Sequence, residues 1–353
     1  MLSIITGSME QKYEVTIGIP VYNVEKYIRQ TIDSALAQTF KSIEFLICDD
    51  CGTDSSISIV EEYQQTHPRG KDIRIIHQPR NMGVGEARNR IIDETHSEYL
   101  FFMDSDDILT EDAIEKLYRM VLQNNADIVY GSMEKMLVYD NNKRIRNAQY
   151  PLMTFLKENE FADYVYRQYD GIQASSCNFL IRVDIYRKNN IRYQPVNYWE
   201  DMTMTIDLPC YITRAVLLPD VTYLYVCREN TLSNYQQRSI IGKSEIEKTI
   251  QAMKEVKNSS YRLKERPHFH KRMYKVMMTL FYIVCSILKN EKIISPAFTK
   301  REIRDVMKSP LSFAETCMLG WRVKNLFLYS LGVLPPFMAI ALIRMIARKR
   351  GLL

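Results

Sequence analysis

Three carboxylates fall within four residues at Asp104-Ser105-Asp106-Asp107. Like charges this close raise one another's pKa unless a cation or a helix terminus offsets them. A hard divalent cation with oxygen ligands does so most directly. Alternate side chains of an extended segment share a side, which groups Asp104 with Asp106 and turns Asp107 away. Asp107 then faces or caps the next helix, which opens near Thr110 with Glu111 and Asp112. A solvated acidic turn is the plain alternative. A second pair, Asp49-Asp50, closes a β-branched run, with Thr53 and Asp54 placed to cap the helix after it. Adjacent acids at a buried strand end need partners. Such a carboxylate can accept N–H groups from a base such as uracil. Tyr22 can stack on the face of that base, and Arg88 can pair with a phosphate or with one of the acids.

The elements that must carry these residues alternate. Val15–Ile19, Ile43–Cys48, Ile73–Ile76, Tyr99–Met103 and Asp127–Tyr130 read as strands. Helical periodicity fills Val24–Ala37, Ser55–Gln65, Val84–Glu94 and Glu111–Asn124. This alternation predicts an α/β fold, a mostly parallel Rossmann-like sheet flanked by helices. Right-handed crossovers gather the loops after the strands along one carboxyl edge, where ligands bind in open α/β sheets. To that edge come Pro20-Val-Tyr-Asn23, Asp49-Asp50-Cys-Gly-Thr-Asp54, Asn81-Met-Gly83 with Arg88, and Asp104–Asp107.

At 353 residues the chain suits two domains, or one large domain with an appendage, at ~150 residues each. Hydrophobic residues at 46% and charged residues at 25% exclude a largely disordered, collagen-like or multi-span membrane chain. The seven cysteines are scattered and odd in number, which argues against a secreted disulfide framework. Cys48 and Cys51 form a C-x-x-C without the second pair a zinc ribbon needs; they read as two thiols flanking a strand end in a reducing cytosol. Met1–Ile5 is too short an apolar run for a signal peptide, and residues 1–12 read as a leader.

These pieces in this order resemble the family-2 glycosyltransferases of the capsule, O-antigen and exopolysaccharide type, which have the GT-A fold. The resemblance is carried by Val15-Thr-Ile-Gly-Ile-Pro-Val-Tyr-Asn23, Gln38-Thr39-Phe40, Glu44–Asp54, Asn81-Met-Gly83, Ala87-Arg-Asn89 and Phe102–Asp107. It is dense over residues 13–135 and looser over roughly 175–235. It implies that Pro20, Tyr22 and Asp50 form the nucleobase-binding set, with Asp50 reading the uracil edge, that Asn23 belongs to the donor site, and that Asn81, Gly83 and Arg88 border the nucleotide. Asp104, Ser105 and Asp106 match the D-x-D segment, in which Asp104 and Asp106 hold the ribose and a Mn²⁺ or Mg²⁺ on the diphosphate; Asp107 stays open as the metal ligand. The usual Gly-Ser after the paired acids is Cys51-Gly52 here, and Gly52 is expected to keep the turn.

The resemblance also places an acceptor side in the second half. Tyr198-Trp-Glu-Asp201 resembles the family's Glu-Asp motif, with a helix over Met202–Tyr211. It implies Asp201 as general base, Glu200 as runner-up, and Trp199 and Asn178 at the acceptor. A sugar hydroxyl is a poor nucleophile, and a carboxylate within reach can take its proton. Arg228, opening a loop after a strand, is expected near the diphosphate, where a cation offsets departing charge.

From Ser239 onward the pattern is helical. Leu326–Ile343 carries 18 consecutive residues without a charge, but Pro335-Pro336 interrupts it. A straight span is disfavoured, and Arg322, Lys324, Arg344, Arg348, Lys349 and Arg350 flank the run. Apolar and basic residues without acids suit a segment lying on the cytoplasmic face of a membrane. The expected division is a leader over 1–12, a catalytic domain over 13–238 (nucleotide-sugar half 13–135, acceptor half 136–238), a helical C-terminal appendage over 239–320 and a membrane-associating tail over 321–353.

The expectation is therefore an inverting, metal-dependent transfer from a nucleotide-sugar, a UDP-sugar first, to a glycan or lipid-linked glycan. The expected location is cytoplasmic, peripherally on the inner face of the cytoplasmic membrane, and oligomerisation is left open. A sugar nucleotidyltransferase would carry a Gly-rich basic loop where Pro20-Val-Tyr-Asn23 stands. A non-catalytic binding module on the same fold would not need Asp50, Asp104, Asp106 and Asp201 together. Nucleic acid is not an expected partner, since no basic stripe with interleaved aromatics occurs in the catalytic half. Residues 321–353 contribute +6 of the net +5, leaving −1 elsewhere. The asymmetry points to an anionic membrane surface.

Overall fold

The computed structural model describes residues 13–167, 172–196, 200–228 and 240–353. The leader, Trp199 and the segment after Arg228 lie outside them. The described chain forms two compact units. The first comprises the residues up to Thr154 with Ser176–Arg192 and Arg214–Cys227; the second comprises Phe155–Ser175, Tyr193–Thr213 and Arg228–Leu353.

In chain order the elements begin β1 (Val15–Val21), α1 (Ile28–Leu36), β2 (Ile43–Asp49), α2 (Ser56–Thr66), β3 (Ile73–His77), α3 (Val84–Glu94) and β4 (Tyr99–Phe102). They continue with β5 (Ile108–Leu109), α4 (Ala113–Asn124), β6 (Ile128–Leu137), β7 (Lys143–Ala148), β8 (Met153–Phe155) and α5 (Glu160–Arg167). Next come β9 (Phe179–Arg182), α6 (Asp184–Lys188), α7 (Glu200–Asp207) and β10 (Ala215–Cys227). The last are β11 (Ile241–Gly242), α8 (Lys243–Ser259), α9 (Phe269–Lys289), β12 (Ile294–Ser295), α10 (Lys300–Val306), α11 (Phe313–Met318), α12 (Arg322–Val333) and α13 (Pro336–Lys349).

The sheet of the first unit runs β3-β2-β1-β4-β9-β6-β10-β5, with β7 on β6 and β8 on β10. Pairs β1/β2, β2/β3, β1/β4 and β6/β10 are parallel. Strand β9 runs antiparallel to both β4 and β6, and β5 and β7 run antiparallel to β10 and β6. The strand order turns around at β1, so the ends of β1, β2 and β4 converge on the crevice of a topological switch point.

Every residue of β1 is buried, as a central strand covered on both faces requires. A Cβ on Gly18 would lie 2.4 Å from Ile91, so the missing side chain lets α3 seat directly on β1. Pro20 is tolerated in this central strand for a readable reason. The Gly18 carbonyl accepts from Met103 on the β4 side. Pro20, two residues on, faces that same side beyond the last β4 register partner, Gly18↔Phe102, where no ladder bond is lost.

In the second unit, α9 is the central helix, with its apolar residues in a core shared with α8, α10, α12 and α13. The uncharged run divides at Leu334-Pro335 into α12 and α13. Among the described residues no helix is long and apolar enough to cross a membrane. Two short strands, β11 and β12, also pair in this region, in parallel.

Candidate active site

The acidic segment after β4 is held from beneath. Asp104 and Asp106 are partly exposed, while Ser105 and Asp107 are buried, the alternation the sequence predicts. Asp107 accepts from Tyr223 Oη at 2.8 Å and from the Val226 N–H at 2.7 Å. Burial pushes its carboxyl well above the usual range, and Asp104 and Asp106 add to the effect. Both its oxygens are engaged within the sheet, so of the two open candidates Asp106 is the one that reaches solvent. Thr31, buried on α1, donates to the carbonyls of Ser105 and Asp107 at 3.0 Å each. Tyr223 Oη also accepts from the Asp104 N–H at 3.1 Å. Tyr223 and Thr31 shape this loop but escape sequence reasoning. Tyr223 is 116 positions from Asp107, and a buried threonine in a helix carries no signal of its own.

Arg88, at 2% exposure, donates from Nη2 to Asp104 Oδ1 at 2.9 Å. Its helix, α3, is preceded by Gly83, whose φ of 89° only glycine adopts without cost. Asp50 is buried at the end of β2. Its two oxygens accept the N–H groups of Met82 and Gly83, each at 2.8 Å. Burial raises its pKa, and those two N–H groups oppose the rise. The carboxylate thus fixes the loop that opens α3, at a helix N-terminus where negative charge is favoured.

Tyr22 is exposed at the end of β1, and Asn81 is exposed in its loop. Asn23 adopts φ 52° and accepts from the Thr53 N–H at 2.7 Å, tying the β1 end to the β2 end. The turn after the paired acids differs from expectation. Cys51 takes the left-handed conformation, φ 57°, and its thiol donates to the Gln78 carbonyl at 2.9 Å. Gly52 serves a different need: a Cβ there would lie 3.1 Å from Asn23 Oδ1.

Asn178 is fully buried, donating to the Gly131 carbonyl at 3.4 Å and to Tyr150 Oη at 3.3 Å. In this place it braces the sheet. Glu200, Asp201 and Arg228 belong to the second unit. Helix α7 starts at Glu200, two residues before the expected start, so both acids stand in its first turn, each partly exposed.

The donor set suits a divalent cation that shares its ligands with a phosphate. Asp104 and Asp106 are both partly exposed on this segment. Among the described residues no group of three His, Cys, Asp or Glu side chains could hold an ion unaided. Mg²⁺-type sites take one or two carboxylates and complete the shell with substrate phosphates and water.

Comparison with known proteins agrees with this arrangement. Residues 16–189 match the model of "Glycosyl transferase family 2". Glycosyltransferase GlyA of Streptococcus pneumoniae serotype 4 is 37% identical over 120 residues, covering 34% of this chain and 16% of GlyA. A cholesterol galactosyltransferase of Borreliella burgdorferi is 26% identical over 241 residues, covering 67% of this chain and 65% of that protein. The chain thus spans less than two thirds of the length of these curated relatives. The crystal structure of S. aureus TarS 1-349 superposes with a TM-score of 0.64 at 17% identity, covering 90% of each chain. The same TarS fragment is known in complex with UDP-GlcNAc, and in that form the TM-score is 0.55. The fold is the GT-A arrangement, a mostly parallel sheet flanked by helices with further helices at the C-terminus. Over residues 16–189, just under half of its length, the chain matches glycosyl transferase family 2.

Proposed function

We propose that this protein transfers a sugar, with inversion, from a UDP-sugar to a hydroxyl of a glycan or lipid-linked glycan in surface polysaccharide synthesis. The observation that carries the reading is the partly exposed Asp104 and Asp106 after β4, with Asp104 paired to buried Arg88 and the Asp50-held loop opening the helix that carries this arginine. The UDP preference is supported by the UDP-GlcNAc complex of TarS.

In this reading residues 13–135 handle the donor and 136–238 the acceptor. Tyr22 stacks on the uracil, with Pro20, Asn23, Asp50, Asn81, Gly83 and Ser105 shaping the rest of the nucleotide site. Arg88 orients Asp104. Asp106 and Asp104 would hold Mn²⁺ or Mg²⁺, which when bound neutralises charge on the leaving diphosphate. Asp201, with Glu200 beside it, takes the proton of the acceptor hydroxyl. The freed oxygen bonds to the anomeric carbon from the face opposite the diphosphate, and the bond from that carbon to the phosphate oxygen breaks. Arg228 adds a positive charge for the diphosphate. The C-terminal helices rest on the cytoplasmic face of an anionic membrane, where a lipid-linked acceptor would be found.

Calorimetry with UDP, with and without Mn²⁺, followed by mass detection of products from a panel of nucleotide sugars, tests the reading. Mn²⁺-dependent UDP binding and transfer from one donor are expected. Asp106→Asn and Asp201→Asn should each keep the fold and lower transfer by orders of magnitude. Near wild-type transfer by either variant overturns that assignment.

A further inference from the structure

Arg272 on α9 is the largest fully buried side chain of the described residues, at 0% exposure. A buried guanidinium is costly unless its donors are satisfied, and here they are. Nε donates to Ser260 Oγ at 2.9 Å. Nη1 faces Tyr166 Oη at 2.9 Å, the Ile206 carbonyl at 2.5 Å and Cys210 Sγ at 3.3 Å. Nη2 pairs with Asp207. Tyr166 Oη donates to the same Ile206 carbonyl at 2.5 Å. All of these groups lie in the second unit.

Two of the contacts, the Ile206 carbonyl and the Asp207 carboxylate, are the last two residues of α7. Carbonyls at a helix C-terminus lack intrahelical partners, and a cation there is favoured by the helix dipole. Helix α7 has eight residues, about 12 Å of axis. Fixing one end of so short a rod fixes the direction of the other. The other end carries Glu200 and Asp201. A well-packed apolar side chain is often as stabilising as a buried ion pair, so burial alone gives no reason for a charge here.

We propose that Arg272 is a positioning residue: it clamps the C-terminal end of α7 and thereby sets the direction in which Asp201 and Glu200 are presented. This rests on the reading of Asp201 as the base. The guanidinium acts through the helix and touches no reacting atom. Lysine cannot replace it, since one ammonium lacks the planar fork that spans Ile206, Asp207 and Ser260 together.

The test uses the full chain and three variants, Arg272→Met, Arg272→Ala and Asp207→Asn, each checked for folding by thermal melting. Wild-type transfer is measured first, so that a chain with no transfer at all refutes the functional reading and not this inference. With transfer established, Arg272→Met should bind UDP with Mn²⁺ as the wild type does. Its kcat should fall by about 10²-fold, the scale of an ångström-level misplacement, with donor KM unchanged. Methylguanidinium should restore part of the kcat of Arg272→Ala. Asp207→Asn, which keeps the shape and loses the charge, should lower kcat by a smaller factor in the same pattern. It decides the matter if the Arg272 variants do not fold. Folded variants with wild-type kcat, or kcat losses matched by equal losses of UDP affinity, overturn the proposal.

Discussion

Arg88 Nη2 lies 2.9 Å from Asp104 Oδ1, joining a sealed cation to a carboxylate whose side chain is 34% exposed. The arginine occupies one oxygen and leaves the rest of the group facing out. Partners that orient a metal ligand typically contribute 10–100-fold to metal affinity. Arg88→Met is therefore expected to weaken Mn²⁺-dependent UDP binding by about 10-fold or more. Arg88→Lys should weaken it less, because a charge remains while the fork is lost. Calorimetry at fixed Mn²⁺ reads both, and unchanged affinity in a folded Arg88→Met protein would refute the role.

The sheet beneath the acidic segment depends on one close approach. A Cβ on Gly131 of β6 would lie 2.0 Å from Thr222 Oγ1 of β10. Thr222 is fully buried and β-branched, so it has little freedom to yield. Gly131→Ala should lower stability by roughly 1–3 kcal/mol, the range for overpacking a filled core. Adding Thr222→Ala should recover part of the loss, a coupling expected only between residues in contact. Urea denaturation of the two single variants and the double variant measures it; simple additivity would show that the contact is not the cause.

Much of the acidic edge of the first unit is legible in residue order because it depends on periods and strand ends. The β-α alternation and the partly exposed pair Asp104/Asp106 follow from patterns a few residues long; Asp107 turns away from that pair as expected, but it bonds to β10 and does not cap α4. What escapes depends on distant chain segments. Tyr223 meets Asp107 only because β10 returns to pair with β5. Strand β9 has four residues and reveals no period. Helix α1 begins at Ile28, later than its periodicity suggests. The N–H groups of Val24 and Glu25 bond instead to Ser56, the first residue of α2, and to Asp54 in the loop before it. Cys51 shows the limit of motif matching: the left-handed residue of this turn is the cysteine and not the glycine beside it.

The corner between α12 and α13 exposes Val333, Phe337 and Met338, close together in sequence. Arg304 reaches the Leu334 carbonyl at that corner, at 3.4 Å. Arg344 pairs with Glu291 at 2.5 Å, whereas Arg322, Arg348, Lys349 and Arg350 are exposed. Each exposed basic residue near an anionic leaflet contributes about 1 kcal/mol. The full chain should co-sediment with vesicles containing phosphatidylglycerol, less so at high salt, and poorly with phosphatidylcholine alone. Phe337→Glu with Met338→Glu should abolish the association. Equal sedimentation of that double variant would place the contact elsewhere.

His268 gives the protein a pH dependence whose sign can be worked out. The ring is fully buried at the start of α9, its Nδ1 without a partner and its Nε2 3.7 Å from Cys210 Sγ. Burial pulls its pKa down to about 4; Arg272, Arg266 and Lys271 lower it further and Asp163 opposes them. In the unfolded chain the value returns to about 6.5. Between these two values the unfolded state binds more protons, so stability rises with pH through the window. The contribution is whole above about pH 6.5 and is lost as pH falls towards 4, up to roughly 3 kcal/mol in all. Urea denaturation at pH 7 and pH 5 should therefore show a larger fall for the wild type than for His268→Gln, by about 2 kcal/mol. A parallel fall in the two proteins would mean that His268 carries no buried neutral ring, and that other groups set the acid limit.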